Sequence, residues 1–157
     1  MLRFLLRVEG ETPTAPNILF VGEIRDGETA KAAFYAAETG HLVMGTLHAN
    51  RVSEIPSRLL NLLPTEDKAH GRYILSKVAK AFISQRLLRL REGGRVAARE
   101  VLLHVTAMPA LIEKAKEHEF PHVMRSHQSV GMIDLQSELL RLRGRLAPGE
   151  FERYKEE

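Results

Sequence analysis

The sequence predicts an α/β fold: a βαβ unit, then a β-hairpin, followed by a helical C-terminal region. Three observations carry that reading. "NILFV" (17–21) and "HLVMGTLH" (41–48) are short, nearly continuous apolar runs, the pattern of strands covered on both faces. The segment between them, "GETAKAAFYAAETG", sets Ala30, Ala33, Phe34 and Ala37 at helical spacing. Further on, "EGG" (92–94) separates two stretches, "QRLLRLR" and "RVAAREVLLHV", that read as the arms of a hairpin.

Each element has a local reason. Asp26 stands where an N-cap carboxylate accepts from the first turn of a helix, and Gly40 stands where a left-handed residue ends one. Strand, helix and strand at this spacing form a right-handed unit, so the two strands are expected to be parallel. "SEIPSRLLNLL" (53–63) reads as the next helix and "TEDKAHGRYILSKVAKAFIS" (65–84) as another, capped by Thr65 and burying Ile74, Val78, Ala81 and Phe82. Gly93 and Gly94 supply the positive-φ positions of the hairpin turn. From Ala107 onward the chain reads as helical and increasingly polar, and "EGETPTAPN" (9–17) reads as a loop.

Composition limits the functions on offer. A chain of 157 residues, 44% hydrophobic and 27% charged, buries one sizeable core. The absence of cysteine excludes disulfide scaffolds, thiolate nucleophiles and thiolate metal sites, and suits a reducing cytoplasm. A net charge of +3 with a pI of about 9.4 is a weak basic bias, and with no aromatic platform no nucleic-acid partner is expected. The apolar run in "MLRFLLRVEG" is too short to span a bilayer. No metal site is assigned; His70, His118 and His127 read as exposed or capping side chains.

Open parallel α/β sheets place their chemistry beyond the carboxyl ends of the strands. Glu23 lies at that edge of the first strand and His48 at that edge of the second, with Thr46 two residues back on the same face. A carboxylate there can orient or deprotonate a water, and an imidazole can neutralise developing charge. The alternative for "GEIRD" is a surface network in which Arg25 pairs with Glu23 or Asp26.

Three segments at fixed spacing, "VGEIRD", "AAETGHLV" and "GTLHAN", resemble the Walker B and histidine-box region of the ATPases that drive type II secretion and type IV pili, in particular the PilT-like retraction motors. Similarity continues through "LLPTEDKAHGRYILSKVAKAFISQRLL" and "GGRVAAREVLL". The resemblance implies a partial RecA-like P-loop ATPase sheet over residues 1–105 and a helical region over 106–157. It also places the start of this sequence inside the ATPase domain, with "LRFLLR" as the helix before the Walker B strand. Glu23 matches the glutamate that polarises the attacking water, and His41 and His48 match the two histidines of the box, the second facing the nucleotide. Gly22 stands where other P-loop enzymes carry a magnesium-linked aspartate, Arg25 and Asp26 complete the Walker B segment, and Thr46 neighbours the site. ATP and Mg2+ are the implied ligands. The implied partners are a homo-oligomeric, hexameric ring or complete secretion ATPase subunits and an inner-membrane platform protein, at the cytoplasmic face of that membrane.

Departures from the family pattern shape the functional expectation. The sequence holds no G-x-x-x-x-G-K-[ST] segment, whose amides and lysine cradle phosphates, and no arginine-bearing acidic box upstream of Walker B. Asn17 replaces an expected acid, and Pro109 and Ala110 in "AMPALIEK" replace the arginine and asparagine of the retraction-motor segment. The expectation is therefore a portion of a secretion or pilus motor ATPase that is inactive alone. The alternative is a non-enzymatic remnant, or a module that docks onto a complete ATPase ring.

Overall fold

The computed structural model describes residues 2–6 and 17–155. The loop read at 9–17 lies outside the described residues except for Asn17. Strand β2 (Ile18–Val21), helix α1 (Gly27–Glu38) and strand β3 (Leu42–Leu47) form the expected βαβ unit, with β2 and β3 adjacent and parallel, Ile18 opposite Leu42 and Val21 opposite Gly45. Both helix ends follow from the residues read for them. The Asp26 carboxylate accepts from the Thr29 amide at 2.8 Å, and Gly40 takes φ +104° just beyond the last turn.

Two assignments change after β3. A 3-10 turn at Val52–Glu54 leads into α2 (Ile55–Asn61), and a second at Thr65–Asp67 leads into α3, which covers only Lys68–Val78. Ala79–Arg89 is a strand, β4, so Ala81 and Phe82 belong to the sheet and not to a helical stripe. The reason is pairing. Strand β4 is bonded along its first half to β1 (Leu2–Leu6) and from Ala81 to Arg89 to β5 (Arg95–Leu103), which outweighs the helical spacing of its apolar residues. The hairpin between β4 and β5 turns on Gly93 and Gly94, at φ +91° and +76°.

The segment read as a helix before Walker B is instead β1, antiparallel to both β3 and β4. It satisfies the inner edges of two strands that would otherwise face a gap, and the sheet runs β2-β3-β1-β4-β5. Helices α4 (Ala107–Glu113), α5 (Phe120–Ser126), α6 (Leu135–Leu142) and α7 (Glu150–Lys155) make the remainder helical, as expected.

The main core is built over one face of the sheet from Val43, Leu47, Phe82 and Leu102, the helices α1 to α3, and also Met108, Ile112, Phe120 and Met124 from beyond Val105. A second, smaller core lies at the hairpin tip, where Leu88 and Ala98 meet Leu135, Leu139, Leu142 and Leu146. Strand β2 is not covered on both faces: it ends the sheet, Leu19 and Val21 pack inward, and Ile18 and Phe20 are 55% and 59% exposed on the side away from the helices. Among the described residues, no helix is long and apolar enough to cross a membrane.

Candidate functional site

Glu23 follows the last residue of β2 by two positions, and His48 follows the last residue of β3 by one. Because the two strands are parallel neighbours, both side chains project beyond the same end of the sheet, and Glu23 Oε1 lies 3.1 Å from His48 Nε2. Thr46 locks the strand ends together: its hydroxyl donates to the Gly22 carbonyl, and its own carbonyl accepts from the Ile24 amide at 2.8 Å. Only 2% of Thr46 is exposed, so its contribution is to hold the Glu23 backbone, whereas the His48 side chain is 85% exposed.

Arg25 donates from Nη2 to Glu23 Oε2 at 2.5 Å, so the surface pairing read as the alternative for "GEIRD" is formed with Glu23, while Glu23 Oε1 faces His48. The Arg25 guanidinium is the main reason the Glu23 carboxyl titrates below its ordinary value; partial burial opposes it, and His48 lowers it further. Glu23 is therefore an ionised acceptor near neutral pH, able to orient a water, with one oxygen turned to a group that gains positive charge on protonation. Asp26 is occupied as the cap of α1, and its carboxyl is lowered chiefly by the Thr29 amide.

His41 is not brought to this cluster. It precedes β3, at the opposite end of the strand from His48, and its Nδ1 contacts the Ala36 carbonyl at 3.0 Å beside Thr39. Within one chain it finishes α1.

The pair Glu23–His48 opens into a cleft of about 500 Å3, also lined by Ile24, Arg25, Leu47, Arg58, Asn61 and Leu62. Sequence reasoning missed Arg58 and Asn61. The available signal was their spacing: three residues apart on α2, both exposed, while Leu59 and Leu60 between them are buried. Gly27 allows α2 to come this close, since a Cβ there would stand 2.6 Å from the Leu62 carbonyl oxygen. The reading of the histidines also passed over "HEFPH", His118 to His122, which has H-E-x-x-H spacing. Its two histidines are exposed, one in a 3-10 turn and one in α5, and no group of three or more His, Asp or Glu among the described residues is arranged to hold a metal.

The donor set can orient a water and meet developing charge on one side of the cleft. Glu23 and His48 suit an attacking water and developing charge, and Arg58, whose Nε donates to Glu54 at 3.1 Å, stands at the cleft wall as a further, already paired, cation. A lysine-bearing amide cradle for phosphates is absent from the sequence, and among the described residues Glu23 is the only carboxylate lining the cleft, so those residues do not by themselves fit a magnesium nucleotide.

Comparison with known proteins adds the family. The model of a family described as "Type II/IV secretion system protein" matches residues 2–132. The type IV pilus retraction ATPase PilT of Pseudomonas aeruginosa is 39% identical over 138 residues, covering 88% of this chain and 39% of that protein. A crystal structure of the pilus retraction motor PilT with bound ADP superposes with a TM-score of 0.71 at 36% identity, over 88% of this chain and 39% of that one. The ATPase DotB of Yersinia pseudotuberculosis gives a TM-score of 0.74 at 27% identity, over 90% and 37%. The chain thus spans about two fifths of the length of these relatives.

Proposed function

The chain belongs to the type II/IV secretion system protein family, and we propose that it supplies the Walker B and histidine-box side of a motor ATPase site for pilus retraction, pilus assembly or protein secretion. Residues 1–105 carry that side and residues 106–157 the trailing helical region. The observation that carries the proposal is the placement of Glu23 and His48, 3.1 Å apart, at the carboxyl ends of adjacent parallel strands above an open cleft. Glu23 orients the attacking water, and His48 acts where charge develops. Thr46 holds the strand ends, Arg25 keeps Glu23 ionised, and Asp26 fixes the helix that follows. The phosphate-holding lysine and amides, and with them the firm binding of ATP and Mg2+, come from a separate P-loop-bearing segment or subunit. The partners are then the subunits of a secretion ATPase ring and its inner-membrane platform, at the cytoplasmic face of the membrane.

Two steady-state measurements of phosphate release test this. The purified 157-residue chain with magnesium and ATP should show no turnover above background, and a turnover abolished by Glu23→Gln would refute that part. Mixed with a polypeptide carrying the P-loop half, the chain should regain turnover. In that mixture Glu23→Gln should cost on the order of a hundredfold, and His48→Ala should reduce turnover more than nucleotide affinity. An inactive mixture of two halves that bind each other would leave the second reading, a docking module without catalysis, which the exposed Ile18 and Phe20 favour.

A further inference from the structure

Glu100, on β5, is a carboxylate that the proposed chemistry does not use, and only 1% of it is exposed. Three donors converge on it. Arg51 Nε lies 2.9 Å from Oε1, and the Val52 amide and the Ser84 hydroxyl lie 3.0 and 2.9 Å from Oε2. Arg51 and Val52 close the short segment that begins at His48, and the Arg51 side chain is itself only 14% exposed. Ser84 is on β4, so the carboxylate joins that segment to the hairpin.

A buried ion pair is a poor way to gain stability, because desolvating two charges offsets most of their attraction, and apolar packing of equal volume does as well. What a carboxylate adds is direction. Its two oxygens dictate where the Arg51 side chain and the Val52 amide must be, and thereby the path of the backbone leaving His48. That matters because the His48 ring is 85% exposed. With so little of the ring covered, its orientation toward Glu23 depends on that contact and on how the backbone of its own segment is held. One end is Leu47, fixed in β3; the other is Val52, wholly buried and bonded to Glu100. Between them Asn50 is held twice: its amide donates to Glu54 Oε2 at 3.1 Å, and its carbonyl accepts from Arg86 Nε at 3.2 Å.

We propose that Glu100 is a positioning residue for His48, acting through Arg51 and Val52 to keep the imidazole in contact with Glu23. The inference rests on the reading of Glu23 and His48 as the working pair, and its test needs no ATP hydrolysis.

The readout is the titration of the Glu23 carboxyl, followed by carbon NMR in the full chain, where Arg25 and His48 are the charged groups facing it. His48→Ala should raise the Glu23 midpoint, since His48 is one of the groups holding it down. In a Glu100→Gln background, similar in shape but without the charge, the same His48→Ala substitution should move the midpoint by less than half as much. An undiminished His48 effect in a Glu100→Gln protein with native amide dispersion would overturn the proposal, because a role confined to stability leaves that coupling intact. Should Glu100→Gln fail to fold, Arg51→Met serves in its place. It removes one donor and keeps the Val52 and Ser84 bonds, and a partial loss of coupling is expected, an unchanged coupling again being contrary. If His48→Ala leaves Glu23 unmoved in the otherwise unaltered chain, both the positioning role and the working pair fall. Intact coupling that depends on Glu100, in a chain that cannot be reconstituted to an ATPase, would count against the split site alone.

Discussion

Two regions of the molecule bury apolar side chains, and they are held by different means. Under the βαβ end of the sheet, Phe82, Leu59, Leu75, Ile112 and Phe120 come from five separate elements and are each at most 1% exposed, with the Phe82 and Phe120 rings stacked 6.2 Å apart. At the hairpin tip the cluster of Leu88, Ala98, Leu135, Leu139, Leu142 and Leu146 is a fraction of that size, and charge surrounds it. Arg89 reaches Glu150 at 2.9 Å, Arg141 reaches Glu138 at 2.7 Å, and Arg143 lies over the Phe151 ring at 4.7 Å. Hydrophobic burial scales with area, so the smaller cluster contributes less, and the buried carboxylates of Glu138 and Glu150 depend on their arginine partners to remain satisfied there. The site end thus rests on the larger core, which α4 and α5 help to build, and only α6 and α7 belong with the smaller cluster at the hairpin tip.

Cutting each core once should expose the difference. Phe82→Ala should cost about 3–5 kcal/mol and lower the urea midpoint of the whole chain, because the ring contributes to the sheet and to the helices on it. Leu142→Ala should cost about 2–5 kcal/mol at its own site, with the loss of hydrogen-exchange protection confined to α6, α7 and the hairpin tip. Equal loss of protection in β2 and β3 would show that the two cores unfold as one.

Acid should separate the regions more gently. The Glu150 carboxyl is held below its ordinary value of 4.5, first by the Arg89 amide that donates to it at 3.0 Å and then by the Arg89 side chain. A carboxylate lowered in the folded state contributes stability that is fully present above 4.5 and lost as pH falls through the lower, folded value. The amides of α7 should therefore lose protection below that pH while those of the inner strand β3 keep theirs, and Glu150→Gln should remove the pH dependence. Protection of α7 that does not change across this range would argue against the ion pair as its fastening.

The smallest effect on stability belongs to the uncovered side of β2. Phe20→Ser should change folding stability by no more than about 0.5 kcal/mol, since the ring is already 59% exposed. It should nevertheless reduce the concentration-dependent self-association read by light scattering, which an edge strand bearing Ile18 and Phe20 favours. A parent chain that stays monomeric over a wide concentration range would show that this edge is not a contact surface.

Much of the site was legible from residues 17 to 48 because its determinants are local. An apolar run with helical spacing after it forces strand, helix, strand; Asp26 and Gly40 set the ends of the helix; and chain direction alone sends Glu23 and His48 to one edge. Gly93 and Gly94 announced the hairpin turn for the same reason, a backbone conformation that few other residues adopt without strain.

Tertiary structure decided what depends on partners distant in sequence. Ala81 and Phe82 have helical spacing, and only the pairing of β4 with β1 and β5 makes them strand. Leu2–Leu6 became a strand because two inner sheet edges needed hydrogen-bond partners, a demand invisible in its own residues. No local pattern shows that Arg58 and Asn61 face the cleft, or that Glu100 closes on the chain 48 residues earlier at Val52. By itself the sequence determined the residues, the caps and the direction of the strands that end at the site. Which backbone groups and buried charges would meet across the fold was left to packing, because a hydrogen bond or a buried carboxylate is satisfied by whatever the whole chain brings within reach.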